Sequence, residues 1–377
     1  MNKLKYIYVN IGDCSVLESQ VLELIQYVKN NYNLDVLLLQ GYQSKQEKER
    51  ILRKLSKYNI SVKWFRSYPK YLGIWWFTKL SFLNLWKSIN VDTLDFFHVR
   101  GFESGVLVKH RLTKKNLLHH LLVDIRGVPI EEHELYGKKC VKVLLKKFFY
   151  LEIIRQLRYK KQPKVTAVSN TLKRHLIQKY NFEDKMITIH PNICSKKFIF
   201  DNDARIQIRK DLNILDDELL FVCSTGGGAA WQNDRDLIMK IVDTGCKILN
   251  MSPHQIMHPN IYNMVVPFEQ MPRYLSAADV AILWREDNPV NNVASPSKFS
   301  EFATMGLYVI HNGTVGLAEH YINITNAGCI INNAGEFIIP DISYINEHRN
   351  TWMIQGERCF GISSIADDYI KVLNIVE

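Results

Sequence analysis

The chain has 377 residues, 47% of them hydrophobic and 23% charged, with 48 Lys+Arg against 38 Asp+Glu and a formal net charge of +10. That length implies two domains of ordinary size, and the apolar fraction excludes a disordered, collagen-like or otherwise solvated polymer. The charge is unevenly placed: residues 1–190 hold 34 of the Lys+Arg and 16 of the Asp+Glu, so that half is +18 and the remainder −8.

The first strand candidate is YIYVNIG at 6–12, and others follow at 35–41, 60–65, 94–101, 121–127 and 164–170. Amphipathic segments of helical period lie between them, at 15–32, 44–59 and 171–181. This alternation predicts a parallel sheet with helices on both faces. Residues 201–218 are polar and rich in Asp, which reads as the approach to a second domain. The theme then repeats, with strand candidates at 219–225, 246–252, 263–268, 279–284 and 307–313, and an amphipathic helix at 363–377. The predicted class is α/β: two doubly wound, Rossmann-like domains facing a cleft, at 1–195 and 196–360, with a C-terminal helix at 361–377 that can pack back on the first domain. Ligands of such sheets bind beyond the carboxyl ends of the strands.

The seven cysteines are odd in number and form no CxxC pair, which argues against a disulfide framework or a zinc ribbon and predicts a cytoplasmic protein. The N-terminus lacks a signal-peptide pattern. The most apolar stretch, 71–86, is shorter than the ~20 residues of a spanning helix and is interrupted by Lys79; its aromatic content suits a membrane interface, and a core helix is the commoner explanation. The segment 138–164 sets Lys138, Lys139, Lys142, Lys146 and Lys147 among Val, Leu and Phe. Two readings stay open for it: a basic amphipathic helix on an anionic membrane surface, or a solvated helix face.

Several groups of residues are candidates for chemistry. Thr225-Gly226-Gly227-Gly228 follows a predicted strand, either as a plain strand–helix turn or as a cradle for an anion. The block 282–313 is more specific. A strand is followed by a polar loop with Arg285, Glu286 and Asp287, and Ser295-Pro296-Ser297-Lys298 then opens a helix. Ser295 is expected to cap that helix with Pro296 just inside it, leaving N–H groups for an anion. Lys298 adds a positive charge, and Glu301, one turn on, can accept hydrogen bonds from a vicinal diol such as a ribose.

In the first half, His98 and Glu103 flank the end of one strand, and Asp124 and Arg126 follow the next. A carboxylate or imidazole there can assist an acceptor hydroxyl, and arginines can offset developing phosphate charge. The other reading is an ion-pair network of Asp124 with Arg126 or Arg100. Asp201-Asn202-Asp203 has a metal-binding DxD form but lies in the predicted linker, where it reads as surface. His254 and His258 have a metal-compatible spacing, yet prolines flank them and no acidic third ligand stands beside them. No metal site is expected.

With those residues in view, the sequence resembles the GT-B glycosyltransferases, in particular the family 4-like group of nucleotide-sugar-dependent enzymes. SPSKFSEFATMGLYVI at 295–310 looks like their P-S-K-x-x-E-Y-x-A-x-G-x-P-V-I helix. MPRYLSAADVAIL at 271–283 is similar to the segment before it, and KVTAVSNTLKRHL with HPNI is similar to the end of their first domain. The likeness is specific over 271–313 and diffuse over the first 120 residues. It implies a nucleotide site in the second domain, with Glu301 on the ribose and Ser297 and Lys298 near the diphosphate; Gly226, Gly227, Arg285 and Glu286 join the expected nucleotide-sugar site on the reading of the residues themselves. It places the acceptor in the first domain and needs no cofactor or metal. Three family features differ: Val293 stands where many members carry a second Glu, for which Glu286 or Asp287 is the candidate substitute; the usual Lys-Gly after the second domain's first strand is absent, with Arg285 or Lys298 as the candidate cation; and Gly12-Asp13-Cys14-Ser15 replaces the glycine pair of the family's first loop.

The expected function is transfer of a sugar from a nucleoside diphosphate sugar, a UDP-sugar first, to a hydroxyl of a glycan or lipid-linked glycan in surface polysaccharide synthesis, with retention of configuration. The expected location is the inner face of the cytoplasmic membrane, held there by the basic first domain. The alternatives are a sugar-nucleotide epimerase on the same fold, and a nucleic-acid-binding protein, which the basic half could serve but for which no recognition motif is found.

Overall fold

The computed structural model describes residues 4–14, 16–68, 74–87, 89–137, 141–224, 235–331 and 340–374. The chain forms two compact units, one of residues 1–191 with 365–377, the other of residues 192–364.

The first unit holds a seven-stranded sheet: β1 (Lys5–Asn10), β2 (Asp35–Tyr42), β3 (Ser61–Arg66), β4 (Asp95–Arg100), β5 (Leu121–Ile125), β6 (Lys164–Ala167) and β7 (Ile187–Ile189). Every pairing is parallel, in the order β3-β2-β1-β4-β5-β6-β7. The second unit holds β8 (Leu220–Cys223), β9 (Lys247–Asn250), β10 (Ile261–Asn263), β11 (Val280–Leu283), β12 (Tyr308–His311) and β13 (Gly328–Ile330). Its order is β10-β9-β8-β11-β12-β13, again all parallel. In both sheets the winding direction reverses once, between β1 and β4 and between β8 and β11. A doubly wound sheet opens a ligand crevice at the carboxyl ends of the strands flanking such a reversal.

The strands are short apolar runs because helices cover both faces and leave no solvated side. Tyr6, Ile7, Tyr8 and Val9 of β1 and all of β8 are buried. Two strands are not foreseen by the apolar pattern. β7 and β13 have three residues each, too few for any periodicity to register. The strand expected at 263–268 lies instead at Ile261–Asn263. The Asn263 carboxamide ends it by accepting from the Ile256 amide and from Asn250 Nδ2, both at 2.9 Å, and the following Val265 is exposed.

Asp279 anchors the amino end of the second sheet. Its buried carboxylate accepts from Arg205 at 2.7 Å, from Arg209 and Arg349 at 3.0 Å each, and from the Leu220 amide at 2.9 Å. Asp201, of the DxD-like triplet, caps the Asn202–Asp211 helix, its Oδ1 accepting from the Ala204 amide at 2.9 Å. Among the described residues no helix is long and apolar enough to cross a membrane.

Candidate functional site

Each unit carries a polar cluster at the carboxyl edge of its sheet. In the second unit, the chain leaves β11 into a loop fixed by asparagines. The Arg285 carbonyl accepts from Asn312 Nδ2 at 2.5 Å and from Thr314 Oγ1 at 3.2 Å, both on the turn after β12. The Arg285 guanidinium donates to Asn291 Oδ1 at 3.2 Å, and Asn291 Nδ2 donates to the Glu286 carbonyl at 2.9 Å. Asn288 caps the short Pro289–Asn292 helix. The Glu286 and Asp287 side chains are exposed, and Val293 is buried behind them.

The next helix runs from Ser297 to Thr304. It starts differently from expectation. Pro296, which has no side-chain oxygen, occupies the capping position, and the Ser295 hydroxyl instead accepts from the Asn192 amide at 2.8 Å. The first-turn amides therefore have no side-chain cap from their own helix. Ser297 and Lys298 begin that turn. Lys298 Nζ lies 2.8 Å from Glu301 Oε2 and 3.3 Å from Met271 Sδ. Glu301 is buried, and burial pushes its carboxyl up despite the opposing charge of Lys298. Arg285, Lys298 and Glu301 thus stand on or just after elements flanking the strand reversal. Gly226 and Gly227, with Gly228, lie outside the described residues.

In the first unit, the register places Arg100, Asp124 and Thr166 side by side across β4, β5 and β6, with Tyr8 opposite His98 across β1 and β4. Asp124 and His98 are 0% exposed. The Asp124 carboxylate accepts from Arg126 Nε at 2.7 Å and from Thr166 Oγ1 at 2.8 Å, with Arg100 Nη1 and His98 Nε2 each 3.9 Å away. Burial by itself would push this carboxyl up. The adjacent Arg126, with His98 and Arg100, outweighs burial and holds it well below the usual carboxylate range. Burial pushes the His98 imidazole below its usual range, against the opposing pull of Asp124.

The C-terminal helix, Ile362–Leu373, covers this cluster with Tyr369. The Tyr369 hydroxyl accepts from Arg126 at 2.7 Å, and its ring stacks on His190 with centroids 4.5 Å apart and 15° between planes. Arg126 also donates to the Pro191 carbonyl at 3.3 Å and keeps 11% of its side chain exposed. Glu103 stands apart from Asp124, in the first turn of the Gly101–Lys114 helix, accepting from the Tyr150 hydroxyl at 2.8 Å. The turn into that helix needs Gly101, whose φ of +83° is strained for any side-chain-bearing residue.

The sequence therefore brings His98, Asp124 and Arg126 together, while Glu103 has other partners. It does not single out Tyr8, Thr166, His190 or Tyr369. Tyr8 has a visible signal, a polar tip repeating at period two with Tyr6 inside an apolar strand. Tyr369 has none, because it sits on the apolar face of an amphipathic helix far along the chain. Among the described residues, no three His, Cys, Asp or Glu side chains cluster as metal ligands. His258 Nδ1 accepts from the Asn260 amide at 3.2 Å.

This architecture recurs in solved structures. A glycosyltransferase from Rickettsia africae superposes with a TM-score of 0.67 at 15% identity, covering 100% of this chain and 99% of that one. The sucrose-phosphate synthase of Thermosynechococcus elongatus gives 0.66 at 11% identity over 98% of each chain. Anabaena HepE, in complex with UDP and glucose, gives 0.63 at 10% identity over 99% of this chain and 100% of that one. The fold is GT-B. At such identities the likeness concerns the backbone arrangement, two doubly wound parallel sheets in one chain. No family model and no curated protein matches the chain.

Proposed function

We propose that this GT-B chain is a glycosyltransferase that moves a sugar from a nucleoside diphosphate sugar, a UDP-sugar first, to a hydroxyl of a glycan or lipid-linked glycan in surface polysaccharide synthesis. The observation that carries the reading is the Lys298–Glu301 pair at the open first turn of a helix beside the strand reversal. A vicinal diol can donate to the buried Glu301 carboxylate. Lys298, released from that carboxylate, can then meet the diphosphate together with the first-turn amides near Ser297. Arg285, on the neighbouring loop with Glu286, is the second cation for the leaving group. Gly226 and Gly227 belong to the same reading. The Anabaena HepE complex with UDP and glucose supports the choice of UDP.

The bond from the anomeric carbon to the diphosphate oxygen breaks, its electron pair leaving with the nucleoside diphosphate, the acceptor oxygen bonds to that carbon, and the acceptor proton leaves to a base or to the departing diphosphate. Retention of configuration belongs to the same reading. No metal or cofactor is required, because lysine, arginine and helix-terminal N–H groups carry the charge stabilisation. The acceptor side falls to the first unit. There Arg126 is the exposed edge of the cluster, with Asp124 and His98 as positioning residues behind it and Glu103 on the adjacent helix. The basic first unit would work at the cytoplasmic face of a membrane, and nucleic acid is not a partner.

The test is a panel of nucleotide sugars scored by thermal stabilisation, followed by product analysis with and without acceptor. A ligand at 100 times its Kd adds about 2.7 kcal/mol. The reading fails if no nucleoside diphosphate sugar stabilises the protein and Glu301→Ala changes nothing.

A further inference from the structure

The helix Val141–Arg158 of the first unit is apolar on both sides. Phe149, Tyr150, Ile153, Ile154 and Leu157 are buried against the unit. On the opposite side Val141, Leu144, Leu145, Phe148 and Leu151 recur at spacings of three and four, and they are 72%, 53%, 50%, 61% and 39% exposed. A solvated helix face would carry polar residues at those positions. Five large apolar side chains on one exposed stripe mark a surface made to be covered.

Charge tells what covers it. Residues 141–161 include seven Lys or Arg and a single acid, Glu152. Where the helix ends, Lys114, Arg155, Tyr159, Lys160 and Lys161 line a cavity of about 500 Å³ whose described lining contains no carboxylate. Two copies meeting through this face would bring together two strongly positive helices, which repel. A nucleic acid would use the charges and leave the leucines and Phe148 without a partner. An anionic lipid surface satisfies both features: apolar side chains enter the headgroup–acyl boundary while basic groups meet lipid phosphates.

We propose that the outward face of the Val141–Arg158 helix is the membrane-contact element of this protein, seated on an anionic bilayer by its apolar stripe and by the basic cavity at its end. This rests on the membrane-surface part of the proposed function and assigns it to one helix. Lys160 and Lys161 at the cavity rim give the attachment its salt dependence.

The experiment is co-sedimentation of the full chain with phosphatidylglycerol vesicles and with phosphatidylcholine vesicles, at low and high salt. The wild type is expected to partition at least tenfold more strongly into the anionic vesicles. Leu144→Ser/Phe148→Ser is expected to lose about tenfold or more of that binding with an unchanged melting temperature. Lys160→Glu/Lys161→Glu, which removes no packed apolar group, is expected to lose the salt-dependent part. Wild-type binding that both variants retain overturns the assignment to this helix while leaving a peripheral location standing. No wild-type binding overturns both, and leaves sugar transfer to be judged by the nucleotide panel. Concentration-dependent dimers abolished by Leu144→Ser/Phe148→Ser, without vesicle binding, would show the face covered by a second copy instead.

Discussion

The Arg126 guanidinium donates to the Tyr369 hydroxyl at 2.7 Å, joining the end of β5 to the last helix across 243 residues of sequence. The same tyrosine stacks on His190 and touches the His98 ring, with centroids 4.5 and 4.4 Å away. The C-terminal segment is thereby a structural part of the first unit, and its one buried aromatic closes the polar cluster. Tyr369→Phe keeps the stacking and removes the hydroxyl that accepts from Arg126 and donates to Asp124 Oδ1 at 3.4 Å, and should cost about 1–3 kcal/mol. Tyr369→Ala also leaves a cavity and should cost about 3–5 kcal/mol. Chemical denaturation, with hydrogen exchange at β5 and β6 amides, reads both. Two variants unfolding at the wild-type midpoint would show that the contact contributes nothing.

Asp124 gives the first unit an acid-labile component. Its folded pKa lies well below the unfolded value of about 3.9. A carboxylate shifted in that direction contributes stability that is complete above the unfolded pKa and is lost as pH falls through the folded one. Asp124→Asn strands Arg126 beside a neutral amide and should cost about 3–5 kcal/mol at pH 7. The difference from wild type should shrink steadily below about pH 4. Urea midpoints from pH 7 to pH 3 test this, and parallel curves for the two proteins would remove Asp124 from the network.

Glu301 shows the opposite sign. Burial raises its folded pKa. Its stability contribution is present below the unfolded pKa and is lost as pH rises through the folded pKa, so at neutral pH the buried carboxylate costs the fold some stability. Glu301→Gln should leave the free protein at least as stable as wild type at pH 8 while abolishing stabilisation by nucleoside diphosphate sugars. Melting curves with and without the nucleotide sugar provide both readings. A variant that melts lower when free, yet responds to nucleotide normally, would assign Glu301 to the fold alone.

Asp279 should be the costliest single position in the second unit. Arg205, Arg209 and Arg349 all point their charge at it, and Arg349, itself buried, has its pKa lowered to about 10 by that burial in spite of Asp279. Asp279→Asn leaves three cations facing one neutral amide and should cost about 3–5 kcal/mol. Exchange protection should fall at β8 and β11 amides and stay unchanged at β1 and β4. Equal loss in both sheets would show the two units unfolding as one.

Much of the fold was legible. Eleven apolar runs at strand length, separated by helical periods, foretold two doubly wound sheets, because strands buried on both faces must be apolar throughout. β7 and β13 escaped because three residues hold no period. The helix start near Ser297 was legible, but its cap was not. Ser295 has the right chemistry for a cap, and the nearby Asn192 amide takes its hydroxyl. For the Val141–Arg158 helix the lysines are visible in the sequence, which leaves a membrane-surface helix and a solvated face both open, and the outward direction of Leu144 and Phe148 is visible only in the structure.

The alternation of strand and helix, the uneven charge of the two halves, and the residue types at 285–301 are written in the order of amino acids alone. These depend on neighbours within a few turns of chain. Long-range packing sets Tyr369 over Asp124 and gathers three arginines on Asp279. It also decides that Leu144 and Phe148 face outward while Phe149 and Ile153 face in. Those outcomes depend on which distant segments pack together, and burial, which sets the pKa of Asp124 and Glu301 and the cost of every unpaired charge, exists only after that packing is made.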